Sequence, residues 1–183
     1  LLEDTIPLVD DLAERARLRV TLAELLVPTD AERATSLLRE ALDEVPDDVQ
    51  ASKLLTELFT RAGDRDGLAS LLEKRLDTAK DKEDKAAIVS ISMELGKLRE
   101  EQGDESAAIE IYNAALDGDP TSRDALRAVV ALGMKRDDSV GIGDELDRLL
   151  AIEEGQAAID LAFKVAEMKR AMGDEAAAER ALL

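Results

Sequence analysis

A chain of 183 residues is long enough for one substantial core or for a row of small units sharing one. Its 42 acidic against 24 basic residues give a net charge of −18, a field that repels phosphate backbones and argues against binding nucleic acid or anionic membranes. Histidine and cysteine are both absent, so no zinc finger, disulfide framework, thiol nucleophile or histidine-based triad can be assembled, and the 2% of aromatic residues leaves Leu, Ala, Ile and Val to build a helical core.

The opening segment LLEDTIPLVDD has none of the features of a signal peptide. No apolar run anywhere approaches the ~18 residues of a membrane span. A first helix is predicted from Pro7 to Val27, with Leu8, Leu12, Leu18, Leu22, Leu25 and Leu26 at three-and-four spacing. After Thr29-Asp30 a second helix is predicted over Ala31 to Val45, carrying Ala34, Leu37, Leu38, Ala41 and Leu42 on one face and stopped by Pro46. The arrangement recurs. Gly63-Asp64, Gly103-Asp104, Asp137-Asp138 and Gly173-Asp174 each separate two amphipathic stretches. The landmark aspartates Asp30, Asp64, Asp104, Asp138 and Asp174 are 34, 40, 34 and 36 residues apart, a near-constant period. They are natural N-caps, and Gly63, Gly103 and Gly173 before them suit the left-handed end of the preceding helix. The six-residue surplus in the second interval lies around AKDKEDKAA, whose charge run predicts a longer surface connection and makes this joint the expected irregularity. A last helix is expected from Glu175 to Leu183. The chain starts without methionine and stops at AERALL in mid-helix, which reads as a piece cut from a longer multi-repeat protein.

The stretch LGKLREEQGDESAAIEIYNAALDGDP, residues 95–120, is the most regular. Leu95, Gly96, Ala108, Tyr112, Ala115 and Pro120 stand where a tight pair of antiparallel helices needs small residues at the approach, one ring beside them and a stop at the end. This pattern resembles the tetratricopeptide repeat, a helix–turn–helix unit of 34 residues. Arg99 takes the place of the family's usual tyrosine and Ser92 that of its tryptophan. Small or apolar equivalents recur as Leu22, Ala34 and Ala41, and as Ala166 and Ala178. Two units depart further, with Thr56, Leu68 and Arg75 in one and Val130, Ile142 and Leu149 in the other, so looser or differently angled packing is expected there. The resemblance implies an all-α, right-handed α-solenoid of antiparallel helix pairs, with units at approximately 7–48, 49–88, 89–122, 123–156 and 157–183.

Other motifs dissolve on inspection. The GxG of SVGIGDE, residues 139–145, lacks the strand and third glycine of a dinucleotide fingerprint and reads as a weak helix start. DGDPTSRDALRA, residues 117–128, begins like an EF-hand loop but has Ser122 and Ala128 where glycine and glutamate belong. No catalytic residue, cofactor site or metal site is assigned, and carboxylate pairs among so many acids carry no information.

In the tetratricopeptide family the first helices line the binding groove. Equivalent inner positions here are Arg19, Lys53, Met93, Arg127 and Phe163, and one turn further Ala23, Glu57, Lys97, Ala131 and Glu167. Four of these ten are basic in an acidic chain, and they form a candidate peptide groove of Arg19, Lys53, Met93, Lys97, Arg127 and Phe163. The bland reading is that the bases neutralise Glu94, Asp124 and Glu57. The family's carboxylate clamp is disfavoured, because Ala23, Leu54, Ser90 and Glu94 replace its asparagines and bases. The expected function is a protein-interaction scaffold that is not an enzyme and binds an extended, acidic protein or peptide segment, with neither nucleic acid nor membrane as partner. The rival is a structural spacer with an unoccupied groove; a third reading is a regulatory domain beside an enzyme. Apolar residues at both ends predict end-to-end self-association. The missing cysteines point to the cytoplasm, and the Arg, Ala and Asp usage to a bacterial source.

Overall fold

The computed structural model describes residues 2–136, 141–171 and 173–182. Of these residues 82% are helical and none lies in a strand. The chain divides into two compact units, Leu1–Asp84 and Lys85–Leu183. The boundary falls inside the AKDKEDKAA stretch.

In the first unit a short helix α1 (Leu2–Thr5) and a 3-10 turn (Ile6–Leu8) lead into α2 (Leu12–Leu26), α3 (Ala31–Glu44), α4 (Val49–Ala62) and α5 (Arg65–Asp81). From α2 onward each helix packs on the next, and α2 also touches α4. The second unit holds α6 (Lys85–Glu101), α7 (Glu105–Gly118), α8 (Arg123–Lys135), α9 (Gly143–Ile152), α10 (Gly155–Ala171) and α11 (Glu175–Ala181), again packed in sequence. Within each unit, short turns such as those at 27–30, 45–48 and 119–122 make the helices they join antiparallel neighbours.

Identical caps punctuate the chain. Asp30, Asp64, Asp104 and Asp174 each accept a hydrogen bond from the backbone N–H three residues on, at 3.0, 2.8, 3.1 and 2.9 Å. Before the last three, Gly63, Gly103 and Gly173 take φ of 67°, 82° and 80°. There the aspartate N–H reaches back to the carbonyls of Phe59, Arg99 and Lys169, at 2.9 Å in each case. Asp138, the remaining landmark, lies outside the described residues. Helix α9 starts only at Gly143, behind Ile142, with no side-chain cap.

Two boundaries differ from the sequence reading. The first helix does not run unbroken from Pro7: Val9 is extended, and Asp11 caps α2 by accepting from the Glu14 N–H at 2.9 Å. Adjacent Asp10 and Asp11 compete with the helical backbone for hydrogen bonds and favour a fresh start over an interior turn. The six surplus residues are not a loop but lengthen the two flanking helices: α5 and α6 each run 17 residues, against 14 for α3, α4 and α7. Helix α5 then closes with the glycine-type turn, Glu83 occupying φ 54° and the Asp84 N–H reaching the Ala79 carbonyl. Lys80 in the last turn and Lys82 at the C-cap complement the carbonyl end of the helix.

Each unit has its own apolar core. Leu38, Ala41, Leu55 and Phe59 centre the first, and Tyr112, Ala115, Leu126 and Leu146 the second. The close approach at Gly96 is real: a Cβ there would stand 2.5 Å from the Tyr112 ring. The two departing repeats relocate this device. A Cβ on Gly67 would come within 2.7 Å of Phe59, and one on Gly133 within 2.3 Å of Ile142. Aligned by the landmarks, Phe59 and Gly133 both stand at the place of Arg99, and Ile142 at that of Ala108. Val130, Ile142 and Leu149 are accordingly buried, so of the two expectations, looser or differently angled packing, the first does not apply at these three residues.

Ser92, at the place where the resemblance expects tryptophan, is fully buried and its hydroxyl has no hydrogen-bond partner among the described residues. A buried hydroxyl without a partner carries a desolvation penalty, and alanine is the better helix former. Ser92→Ala should therefore raise stability by about 1 kcal/mol, seen as a higher urea midpoint at unchanged slope. A lower midpoint would mean that the hydroxyl is satisfied.

Candidate binding surfaces

In the second unit, Met93 and Lys97 lie one turn apart on α6, the first half-buried and the second exposed. With Glu100, Glu101 and Tyr112 they line an open depression of about 480 Å³. Its aromatic wall follows from Gly96, which lets the Tyr112 ring lie against α6. The phenol donates to Glu100 Oε1 at 2.5 Å. Burial, reinforced by that carboxylate, pushes the Tyr112 hydroxyl well above the usual range for tyrosine. Lys97 makes no ion pair among the described residues, so the depression has an apolar floor, one free cation and two carboxylates at its edge.

Arg127, on α8, is differently placed. Its Nε and Nη2 grip both oxygens of Glu153 at 2.5 and 2.8 Å. That carboxylate is only 4% exposed and sits at the end of α9. The hydrogen bond from Arg127 holds the Glu153 carboxyl below its ordinary range, and the reciprocal bond holds the Arg127 guanidinium above its own. Arg123 completes the strut by donating to the Ile152 carbonyl at 2.8 Å. On α10, Phe163 is 59% exposed and Ile159, one turn earlier, 50%.

In the first unit Arg19 is likewise committed. It donates from Nε to Glu40 at 2.9 Å and from Nη1 to Glu44 at 2.5 Å, while Arg15 takes the other Glu44 oxygen at 2.5 Å. Arg19 and Glu44 are each 14% exposed. Lys53 on α4 is exposed and has no ion pair among the described residues. Of the four bases, then, Lys53 and Lys97 are open, whereas Arg19 and Arg127 bind the second helices of their own pairs. Their hydrogen-bonded partners are Glu40, Glu44 and Glu153; of the expected Glu94, Asp124 and Glu57, Asp124 adds a smaller Coulombic attraction on Arg127.

Sequence reasoning missed a second feature of this unit. Arg39 on α3 lies with its guanidinium 5.2 Å from the centre of the Phe59 ring. Beside it, Leu42, Leu55, Phe59, Gly67, Ser70, Leu71 and Lys74 complete a notch of about 170 Å³. The signal was present in the small pair Gly67 and Ser70, spaced one turn apart on α5.

Among the described residues no cluster of acidic side chains could hold a metal ion, and no helix is long and apolar enough to cross a membrane. No protein-family model matches the chain. No curated protein does either. Solved structures do. MamA of AMB-1 is 22% identical over 86% of this chain and 84% of its own, with a TM-score of 0.50. PilF of Pseudomonas aeruginosa is 12% identical over 91% of this chain and 72% of its own, with a TM-score of 0.51. YrrB, described as a TPR protein with an unusual peptide-binding site, is 13% identical over 91% of this chain and 82% of its own, with a TM-score of 0.52. This likeness assigns the fold: the chain is an all-α helical-repeat solenoid of the tetratricopeptide type.

Proposed function

We propose that the protein is an interaction scaffold, without catalysis of its own, that binds an extended acidic segment of a partner protein along the inner face of its first helices. The observation that carries this reading is the depression at Met93, Lys97 and Tyr112, where an unpaired cation flanks an adaptable thioether and a ring edge. In the same unit Phe163 offers an exposed aromatic contact, and in the first unit, taken by itself, Lys53 is an open cation on α4. Arg19 and Arg127 contribute to the helix pairs and not to the ligand. That commitment is also what favours the rival reading, a structural spacer with no ligand.

The test is fluorescence anisotropy with a labelled peptide of alternating glutamate and leucine. Lys97→Glu should weaken binding about tenfold, a change of about 1.4 kcal/mol, and Met93→Ala should weaken it less. Affinity should fall as salt rises towards physiological strength, where screening acts beyond ~8 Å. Arg39 is not a neutral control, because it packs on Phe59; the exposed Arg180 on α11 serves instead. Binding that ignores salt and tolerates Lys97→Glu would dismiss this face. No binding at all would leave the spacer.

A further inference from the structure

We propose that the notch of the first unit is a second, separate docking site, for a peptide segment that presents one apolar side chain flanked by carboxylates. It stands on observations independent of the depression in the second unit.

The notch lies where the short residues Gly67 and Ser70 of α5 face α3 and α4. At Gly67 the Phe59 ring and the capping carboxylate of Asp64 take the space a Cβ would need, so the ring packs directly on the backbone of α5 and forms one wall. Ser70, one turn on, is short and exposed. The gap between them bottoms on Leu42, Leu55, Phe59 and Leu71, all buried. A volume of about 170 Å³ takes one branched or aromatic side chain, since an apolar cavity of about 150 Å³ accommodates benzene.

The rim names the rest of the ligand. Arg39 and Lys74 stand at its edge, two cations at one apolar opening in a chain of net charge −18. Arg39 makes no ion pair among the described residues; the Phe59 face holds its guanidinium. A stacked guanidinium is pre-oriented, and its free edge still offers a planar fork to a carboxylate. Lys74 pairs with Asp43 at 2.9 Å, but both side chains are about two-thirds exposed, at 65% and 64%. Such a surface pair is weak and yields to a competing acid. Apolar floor, small-residue wall and cationic edge together select an acidic segment with a leucine or phenylalanine anchor. Neither a nucleic acid nor an anionic lipid suits a notch set in so acidic a surface.

The experiment is NMR titration of the intact chain with a peptide bearing a single leucine between aspartates, and with the same peptide carrying serine for leucine. The leucine peptide should shift the amides of Gly67, Ser70 and Leu71, and the serine peptide should not. Ser70→Glu places a carboxylate on the rim from an exposed position and should abolish the shifts while leaving the circular-dichroism spectrum unchanged. Lys74→Gln should weaken them several-fold, and Lys97→Glu should leave them alone. The proposal is overturned if the shifts fall at Met93 and Lys97 and spare Gly67, if both peptides act alike, or if Ser70→Glu has no effect.

Discussion

Truncating Tyr112 to alanine should destabilise the second unit by about 3–5 kcal/mol, the range for removing a large buried ring. The ring is 3% exposed and fills the space against Gly96, a glycine that has no side chain with which to close the void. Gly96→Ala fails from the other side. Alanine gains about 1 kcal/mol of helix propensity, but its Cβ would sit 2.5 to 2.8 Å from three ring atoms, and overpacking of that kind costs about 1–3 kcal/mol. Combined with Tyr112→Leu the alanine should become tolerable, so the two changes should be strongly non-additive. Tyr112→Phe isolates the hydroxyl. Because the folded hydroxyl titrates above its unfolded value, its stabilisation is complete below about pH 10 and drains away as pH rises through the folded value. The wild type should therefore lose stability in alkali faster than Tyr112→Phe, in paired urea denaturations. Parallel curves, or a Tyr112→Ala loss near 1 kcal/mol, would mean that the ring is not the keystone of this helix pair.

Much of this fold could be read from single residues because its signals are local. An N-capping aspartate bonds three residues ahead, and a left-handed glycine acts within its own turn, so Gly63, Asp64, Gly103 and Asp104 declare themselves in any short window. The extension of α5 was hidden for the opposite reason. Composition around Lys80, Asp81 and Lys82 reads as solvated loop, yet charges on an exposed last turn are equally compatible with helix, and Glu83 accepts a conformation usually left to glycine. The glycine devices at Gly67 and Gly133 were also out of reach. Each is defined by what the facing helix brings against it, Phe59 in one case and Ile142 in the other.

The candidate site divides the same way. Position along the repeat was enough to bring Met93 and Lys97 to one depression. Whether a base was free was not legible, because its acid lies on the other helix of the pair. Arg19 finds Glu40 and Glu44 at a separation of 21 and 25 residues, and Arg127 finds Glu153 at 26. A search of near neighbours on the same helix offers Glu57, Asp124 and Glu94 and misses all three.

Arg19→Glu should therefore behave as a stability mutation, with any effect on binding secondary. It would set a third carboxylate beside Glu40 and Glu44 and leave Arg15, among the described residues, the sole cation paired with Glu44. Arg19 and Glu44 are mostly withdrawn from water, so solvent screens the repulsion poorly. Removing one partner of a buried pair costs about 3–5 kcal/mol. Glu40, 48% exposed, keeps part of its solvation, which places the expected loss below that range, at about 2–3 kcal/mol. Lys53→Glu, an equal change of charge at an exposed base without an ion pair, should alter stability by less than about 0.5 kcal/mol. Thermal or urea denaturation of the two variants side by side separates the roles. If both leave stability untouched, the Arg19 pairs contribute nothing and the residue returns to the pool of cations open to a ligand; if Arg19→Glu alone unfolds the first unit, its charge belongs to the α2–α3 pair, and the binding face in that unit rests on Lys53.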